Sequence, residues 1–274
     1  MRVNNGSIGR FTAELENAIK NAVLDCTKNE ERIAIPFSGG IDSSIIALLA
    51  SRNTDAVLYS VGVDGAYDLK MADTASKALG LELTKIEINK KDIEEAVPRL
   101  MKIAGSVNAV EISFELPLYF VAKESREQVL VSGQGADELF GGYAKYISVE
   151  RSKLHETLQK DVELVQNVGV PRERKIARCF KKELRTPFLS TFVVSTAMKI
   201  PVEYKIYEGV RKYILREVGR SIGINEEIVT RAKKAAQYGS GTMNLIKKLA
   251  KENGMGTSQY ISSISSVEFD RKVP

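Results

Sequence analysis

Apolar residues at Phe11, Leu15, Ala18, Ile19, Ala22 and Val23 recur at helical spacing, so a helix from Phe11 to Cys26 is expected to lead the chain. The rhythm then changes. Ile33-Ala34-Ile35-Pro36-Phe37 is apolar without interruption, as in a strand buried on both faces, and it predicts a first strand over Ile33 to Phe37. A helix from Ile41 to Arg52 follows. Ala56 to Val63 reads as a second strand closed by Asp64-Gly65, and Tyr67 to Leu79 as a helix stopped by Gly80. Leu83 to Ile88 is a third strand and Lys91 to Ala104 its helix. Residues 115 to 127 read as another helix, leading into a fourth strand over Gln128 to Ser132.

Strands alternating with helices of this length imply an α/β fold, a doubly wound parallel sheet. Ligands of such sheets sit beyond the carboxyl ends of the strands, at a topological switch point. After about residue 150 the alternation fades, and Arg151 to Pro274 reads as mostly helical. The expected division is a nucleotide-handling core over 1–150 and a mostly helical part over 151–274. No internal repeat or low-complexity tract interrupts either.

Two of the expected strands end in glycine-rich turns that carry an acid. The first turn is Ser38-Gly39-Gly40-Ile41-Asp42-Ser43-Ser44, which opens a helix. Backbone N–H groups, hydroxyls and the positive end of a helix dipole would converge there, as a pyrophosphate requires. Asp42 would repel such a ligand unless Mg²⁺ stood between them. The turn has no lysine and is not a Walker A loop. The second turn, Ser132-Gly133-Gln134-Gly135-Ala136-Asp137-Glu138, ends the fourth strand. If the two strands are neighbours, Asp42 and Asp137 can face one another over a magnesium-bound triphosphate.

Composition narrows the setting. The 274 residues include 40 basic and 35 acidic side chains, a net charge of +5 that suits an enzyme of anionic substrates without requiring nucleic acid. Arg172, Arg174, Lys175, Arg178, Lys181, Lys182 and Arg185 form the one dense basic stretch, read as a solvated helix face near an anionic substrate. Cys26 and Cys179 belong to no metal or redox pair. No leader and no long apolar span is evident, so a cytoplasmic protein without membrane contact is expected. The lone His155, in a charged helical stretch, reads as a surface residue.

The first turn resembles the SGGxDS pyrophosphate loop of the N-type ATP pyrophosphatases. With the second turn, the pair resembles the synthetase domain of asparagine synthetase, whose pattern there is SGEGADE followed by GGY. Three further stretches agree. Val61-Gly62-Val63-Asp64-Gly65-Ala66-Tyr67-Asp68-Leu69 is similar to the family's loop against the adenosine. Glu183-Leu184-Arg185-Thr186-Pro187-Phe188-Leu189 and Lys212-Tyr213-Ile214-Leu215-Arg216, with Arg231-Ala232-Lys233, are similar to its E-x-R-x-PFL and K-x-x-LR … RxK segments. The resemblance spans about residues 10 to 245 and implies a single synthetase domain, completed by the helical part.

The resemblance also implies roles. Ser38, Gly39, Gly40, Asp42, Ser43 and Ser44 would hold ATP phosphates, with Val61, Gly133 and Gly135 completing the nucleotide site. Asp42 and Asp137 would take Mg²⁺, and Lys233 would neutralise charge on the α-phosphate. An aspartate side-chain carboxylate would be adenylated and then attacked by ammonia, releasing AMP. Three departures qualify this. Only some thirty residues precede the first turn, too few for the family's N-terminal glutaminase domain, so nitrogen is expected from ammonia, a separate glutaminase subunit or an amine. Gln134 replaces the family's Glu and cannot accept a proton at neutral pH; Glu183 is the candidate substitute. Ser190 replaces the Asp after PFL. The alternatives are a different carboxylate and amine pair, including ring closure of the β-lactam synthetase kind, a tRNA-modifying adenylase, and a non-catalytic nucleotide-binding subunit. Family habit also suggests a homodimer.

Overall fold

The structure, a computed structural model, describes residues 5–105, 108–231 and 235–267, without the side chains of 5, 6 and 265–267. Its first part alternates as expected: α1 (Asn5–Thr27), β1 (Arg32–Pro36), α2 (Ile41–Ala50), β2 (Asp55–Gly62), α3 (Tyr67–Leu79), β3 (Leu83–Glu87) and α4 (Lys90–Ala104). Then come α5 (Ala109–Glu124), β4 (Val129–Val131) and α6 (Ala136–Phe140), with β5 (Glu183–Arg185) arriving much later. Among the described residues the main sheet has the order β3-β2-β1-β4-β5, and every pairing in it is parallel.

The uninterrupted apolar strands are explained by two cores, one on each face. Ile33 and Ile35 of β1, Leu58 of β2 and Val129 and Val131 of β4 enter a core shared with α1, α2 and α3. Ala34, Val57, Tyr59, Val61 and Leu130 point the other way, into a core built with α4 and α5. Successive strand residues alternate in direction, so a strand covered on both faces needs apolar residues at every position. The chain runs β1 to β2 to β3 on one side and then returns to place β4 on the other side of β1. The switch point therefore lies between β1 and β4, where Ala34 pairs with Leu130. Both acidic turns leave the sheet at this point.

Helix α5 begins earlier than the sequence pattern predicts. Asn108 caps it, its side chain accepting from the N–H groups of Val110 and Glu111. Pro117 inside α5 cannot donate to the Ser113 carbonyl, and that carbonyl accepts instead from the Thr242 hydroxyl at 2.9 Å. β5 was not expected as a strand: it has three residues and one buried apolar side chain, Leu184, which pairs with Leu130. The rest of the second part is mostly helical as expected. Helices Thr191–Lys199 and Tyr213–Ile222 pack on α1, and Thr242–Glu252 and Thr257–Val267 cover α5 and α4.

The basic stretch divides: Arg174, Lys175, Arg178 and Lys181 are exposed, as a solvated face requires, but the other three are held by partners. Arg172 turns inward to Glu111 and Glu115, Arg185 is held by Glu30 and Glu183, and Lys182 donates to the carbonyls of Ser125 and Glu127. Lys181 and Lys182 precede β5, at the amino end of the sheet, and border clefts separate from the cavity at the switch point. No helix among the described residues is long and apolar enough to cross a membrane.

Candidate active site

The first turn is shaped by backbone geometry. Gly39 has φ of +66°, and a Cβ there would stand 2.6 Å from the Met71 carbonyl oxygen, so the position requires glycine. Gly40 caps α2 with extended backbone and accepts from the Ser44 N–H at 3.0 Å. The first-turn N–H groups of a helix have no intrahelical acceptor, and here they face the cavity end of β1. Arg231 clamps the turn from outside, donating to the carbonyls of Gly39 at 2.7 Å and Ser38 at 2.8 Å. Arg216 in turn donates to the carbonyls of Arg211, Val229 and Arg231, which sets the path of the segment bearing the clamp. The sequence stretches K-x-x-LR and RxK thus contribute two arginines that shape the first turn.

The second turn lies directly against the first. A Cβ on Gly133 would stand 3.3 Å from Asp42 Cβ, so glycine is what permits the approach. Gly135 has φ of +93° and no space for a side chain beside Leu189; it starts the short helix α6 that carries Asp137. The carboxylates of Asp42 and Asp137 converge on one ammonium. Lys212 Nζ is 2.5 Å from Asp42 Oδ2 and 2.7 Å from Asp137 Oδ1, with the lysine side chain only 3% exposed. The proximity expected of the two aspartates is present, and a lysine to which the sequence assigned no role mediates it.

A cavity opens above these turns. Ser38, Asp42, Ser43, Val61, Gly133, Gln134 and Asp137 line it, together with Asp68, Phe114, Pro117 and Tyr143. Ser60 also lines it, and its buried hydroxyl has no hydrogen-bond partner among the described residues. Gly39, Gly40 and Gly135 shape the turns without lining the cavity. Ser44 is fully buried inside α2 and does not reach it. Lys233 lies outside the described residues; Ala235 and Ala236, which follow shortly after, border the cavity. The sequence assigned no role to Asp68 or Tyr143, although Asp68 stands within the quoted stretch from Val61 to Leu69.

The asparagine synthase family profile matches residues 14–155 and 145–259, nearly the whole chain. The chain belongs to the asparagine synthase family. A Methanocaldococcus jannaschii protein, whose name places it provisionally among glutamine-hydrolysing asparagine synthetases, is 36% identical over 88% of this chain and 51% of its own length. Asparagine synthetase 1 of Arabidopsis thaliana, also named glutamine-hydrolysing, is 25% identical over 74% of this chain and 38% of its own. The chain therefore spans about half the length of its family relatives or less. An NMN synthetase structure from Francisella tularensis overlaps 97% of each chain at 13% identity with a TM-score of 0.44, a distant likeness.

Within this asparagine synthase family member, Gln134 lies in the cavity wall, its amide nitrogen 4.0 Å from where a Cβ on Gly169 would be. Behind that wall three carboxyls are buried together. Glu115 of α5 is 3% exposed, Glu173 5% and Glu138 of α6 6%. Burial pushes the Glu115 carboxyl up to about 7, although Arg172 beside it pulls the other way. Burial first, then the neighbouring Glu115 and Glu138, raise Glu173 well above the ordinary carboxylate range. The Tyr143 hydroxyl donates to Glu138 Oε1 at 2.7 Å. Burial and that acid raise the phenol's pKa, so it acts as a donor and not as an anion.

Glu183 does not substitute for the family's Glu. It pairs with Val129 at the amino end of β5 and is held by Arg185 at 2.7 Å. Because β4 and β5 are parallel, the turn after β4 opens at the opposite end of the sheet. Glu183 lines a different cleft, beside Cys26 and Arg178.

Asp42 and Asp137 suit a magnesium ion that comes with a nucleotide. Among the described residues no group of three or more His, Cys, Asp or Glu side chains is placed to hold an ion. Two carboxylates are too few for a resident site, but they suffice when phosphate oxygens and waters complete the shell.

Proposed function

We propose that this chain activates a carboxylate with ATP, releasing pyrophosphate, and passes the acyl-adenylate to a nitrogen nucleophile to form an amide and AMP. Aspartate and ammonia are the default substrates. The observation that carries the reading is the convergence of Asp42 and Asp137, from two remote turns, beside a glycine-shaped helix start at the switch point. Magnesium, when bound there, would offset charge building on the departing pyrophosphate.

The chain's own residues would divide the work. Ser38, Ser43 and the start of α2 receive the pyrophosphate, while Arg231 keeps their turn in shape. Ser60, Val61 and Asp68 border the space left for the nucleoside. Lys233 would meet charge on the α-phosphate, a fixed cation placed where charge develops. Residues 1–150 supply both acidic turns, and residues 151–274 supply Lys212, Arg231 and Lys233, so the two parts act as one synthetase domain. A second reading keeps the adenylation and changes the carboxylate and amine. Gln134 favours it, because a neutral amide in the wall cannot take the proton that ammonium must lose.

Exchange of radiolabelled pyrophosphate into ATP, run with single amino acids, tests the proposal. Exchange that depends on L-aspartate is the expected result. Exchange with another carboxylate alone would move the assignment to the second reading. Exchange that requires tRNA, or ATP binding without any exchange, would overturn both.

A further inference from the structure

Lys212 stands between the two carboxylates proposed to meet magnesium, and several features of the fold hold it there. It follows the short antiparallel pair of Ile206–Tyr207 and Val210–Arg211, and its own backbone is left-handed, with φ of +58°. Lysine avoids that region, so the conformation is imposed by its surroundings. Arg216 fixes the turn by donating to the Arg211 carbonyl at 2.9 Å, and the helix Tyr213–Ile222 that begins at Lys212 packs on α2 and α6. Gly142 clears the path, since a Cβ there would overlap both Lys212 Cε and Asp137 Oδ1. The result is an ammonium buried between two carboxylates, 2.5 Å from one and 2.7 Å from the other.

From this geometry we infer that Lys212 is the resident counter-ion of Asp42 and Asp137 and excludes free divalent metal from them. Two carboxylates, Asp42 buried and Asp137 half-buried, that already share one cation offer a bare divalent ion one net negative charge and a repelling neighbour. A metal–nucleotide complex differs in two respects. Its phosphates carry most of the balancing charge for the metal, and they offer the displaced ammonium a new anionic partner. Metal then enters only together with triphosphate, and Lys212 moves from the aspartates onto phosphate oxygen as it does so. The inference rests on the proposed function insofar as Asp42 and Asp137 are taken to meet the metal of the nucleotide.

The test is binding of Mn²⁺ to the protein without nucleotide, read from the electron paramagnetic resonance signal of the unbound ion. Wild-type protein is expected to bind weakly, and Lys212→Met to bind at least about tenfold more tightly, a gain of about 1.4 kcal/mol. Lys212→Arg keeps the positive charge and is expected to keep the exclusion. It also guards against a Lys212→Met protein that fails to fold, because tight Mn²⁺ binding by folded wild-type or Lys212→Arg protein would by itself overturn the inference. Adding Asp137→Asn to Lys212→Met should abolish the gain. Equal Mn²⁺ affinity in folded wild-type and Lys212→Met protein would also overturn it. A parallel titration with Mn²⁺ and a non-hydrolysable ATP analogue separates the two ideas. Loss of binding on Asp137→Asn there supports the metal role of the aspartate whatever Lys212 does, and unchanged binding would refute that role.

Discussion

An Asp137→Asn protein is expected to exchange pyrophosphate into ATP about a thousandfold more slowly than wild type. A carboxylate about 4 Å from a unit positive charge contributes on the order of 4 kcal/mol at an effective dielectric near 20, close to three decades in rate. Asparagine keeps the shape of the side chain and removes that charge. The protein should still fold, because Lys212 keeps its 2.5 Å contact with Asp42 and α6 remains packed through Leu139 and Phe140. Exchange kinetics beside a thermal melt followed by circular dichroism would check this. A normal melt with full activity would refute the role given to Asp137.

Gly142→Ala is expected to inactivate by a different route. The added Cβ would overlap Asp137 Oδ1 and Lys212 Cε, and the backbone cannot yield, because the Gly142 N–H donates to the Asp137 carbonyl at 2.8 Å and its own carbonyl accepts from Arg211 at 2.6 Å. The two charged side chains must therefore separate. Overpacking of this kind costs about 1–3 kcal/mol of stability. Exchange should fall at least about a hundredfold, since small misplacements of reacting groups have effects of that size. Gly223→Ala serves as the control. Gly223 has φ of +95° and nothing within 4 Å of its Cβ position, so alanine there adds only backbone strain of about 1–2 kcal/mol and should leave exchange intact. Equal loss of exchange in both variants would mean that instability, and not displacement of Asp137 and Lys212, is responsible.

Much of this was legible in the chain because its determinants are local. The strands β1, β2 and β4 announce themselves through apolar runs, and the two turns through glycines whose close approaches the structure explains at Gly39, Gly133 and Gly135. Other features depend on register, which a pattern does not contain. Glu183 stands inside a motif similar to a family segment, yet parallel pairing with β4 puts it at the wrong end of the sheet. β5 has too few residues to show a period. The start of α5 was hidden because one side chain, Asn108, defines it. Lys212 is the instructive miss. Its motif was visible, but its role arises from a left-handed backbone and a cleared path at Gly142, both products of the tertiary fold.

The central claim is that a substrate carboxylate attacks the α-phosphorus of ATP. Turnover with L-aspartate carrying ¹⁸O in its side-chain carboxylate, analysed by mass spectrometry of the nucleotide product, tests it most directly. AMP bearing one ¹⁸O, formed in step with pyrophosphate, is the predicted result. Unlabelled AMP, or ADP with phosphate in its place, would contradict the account.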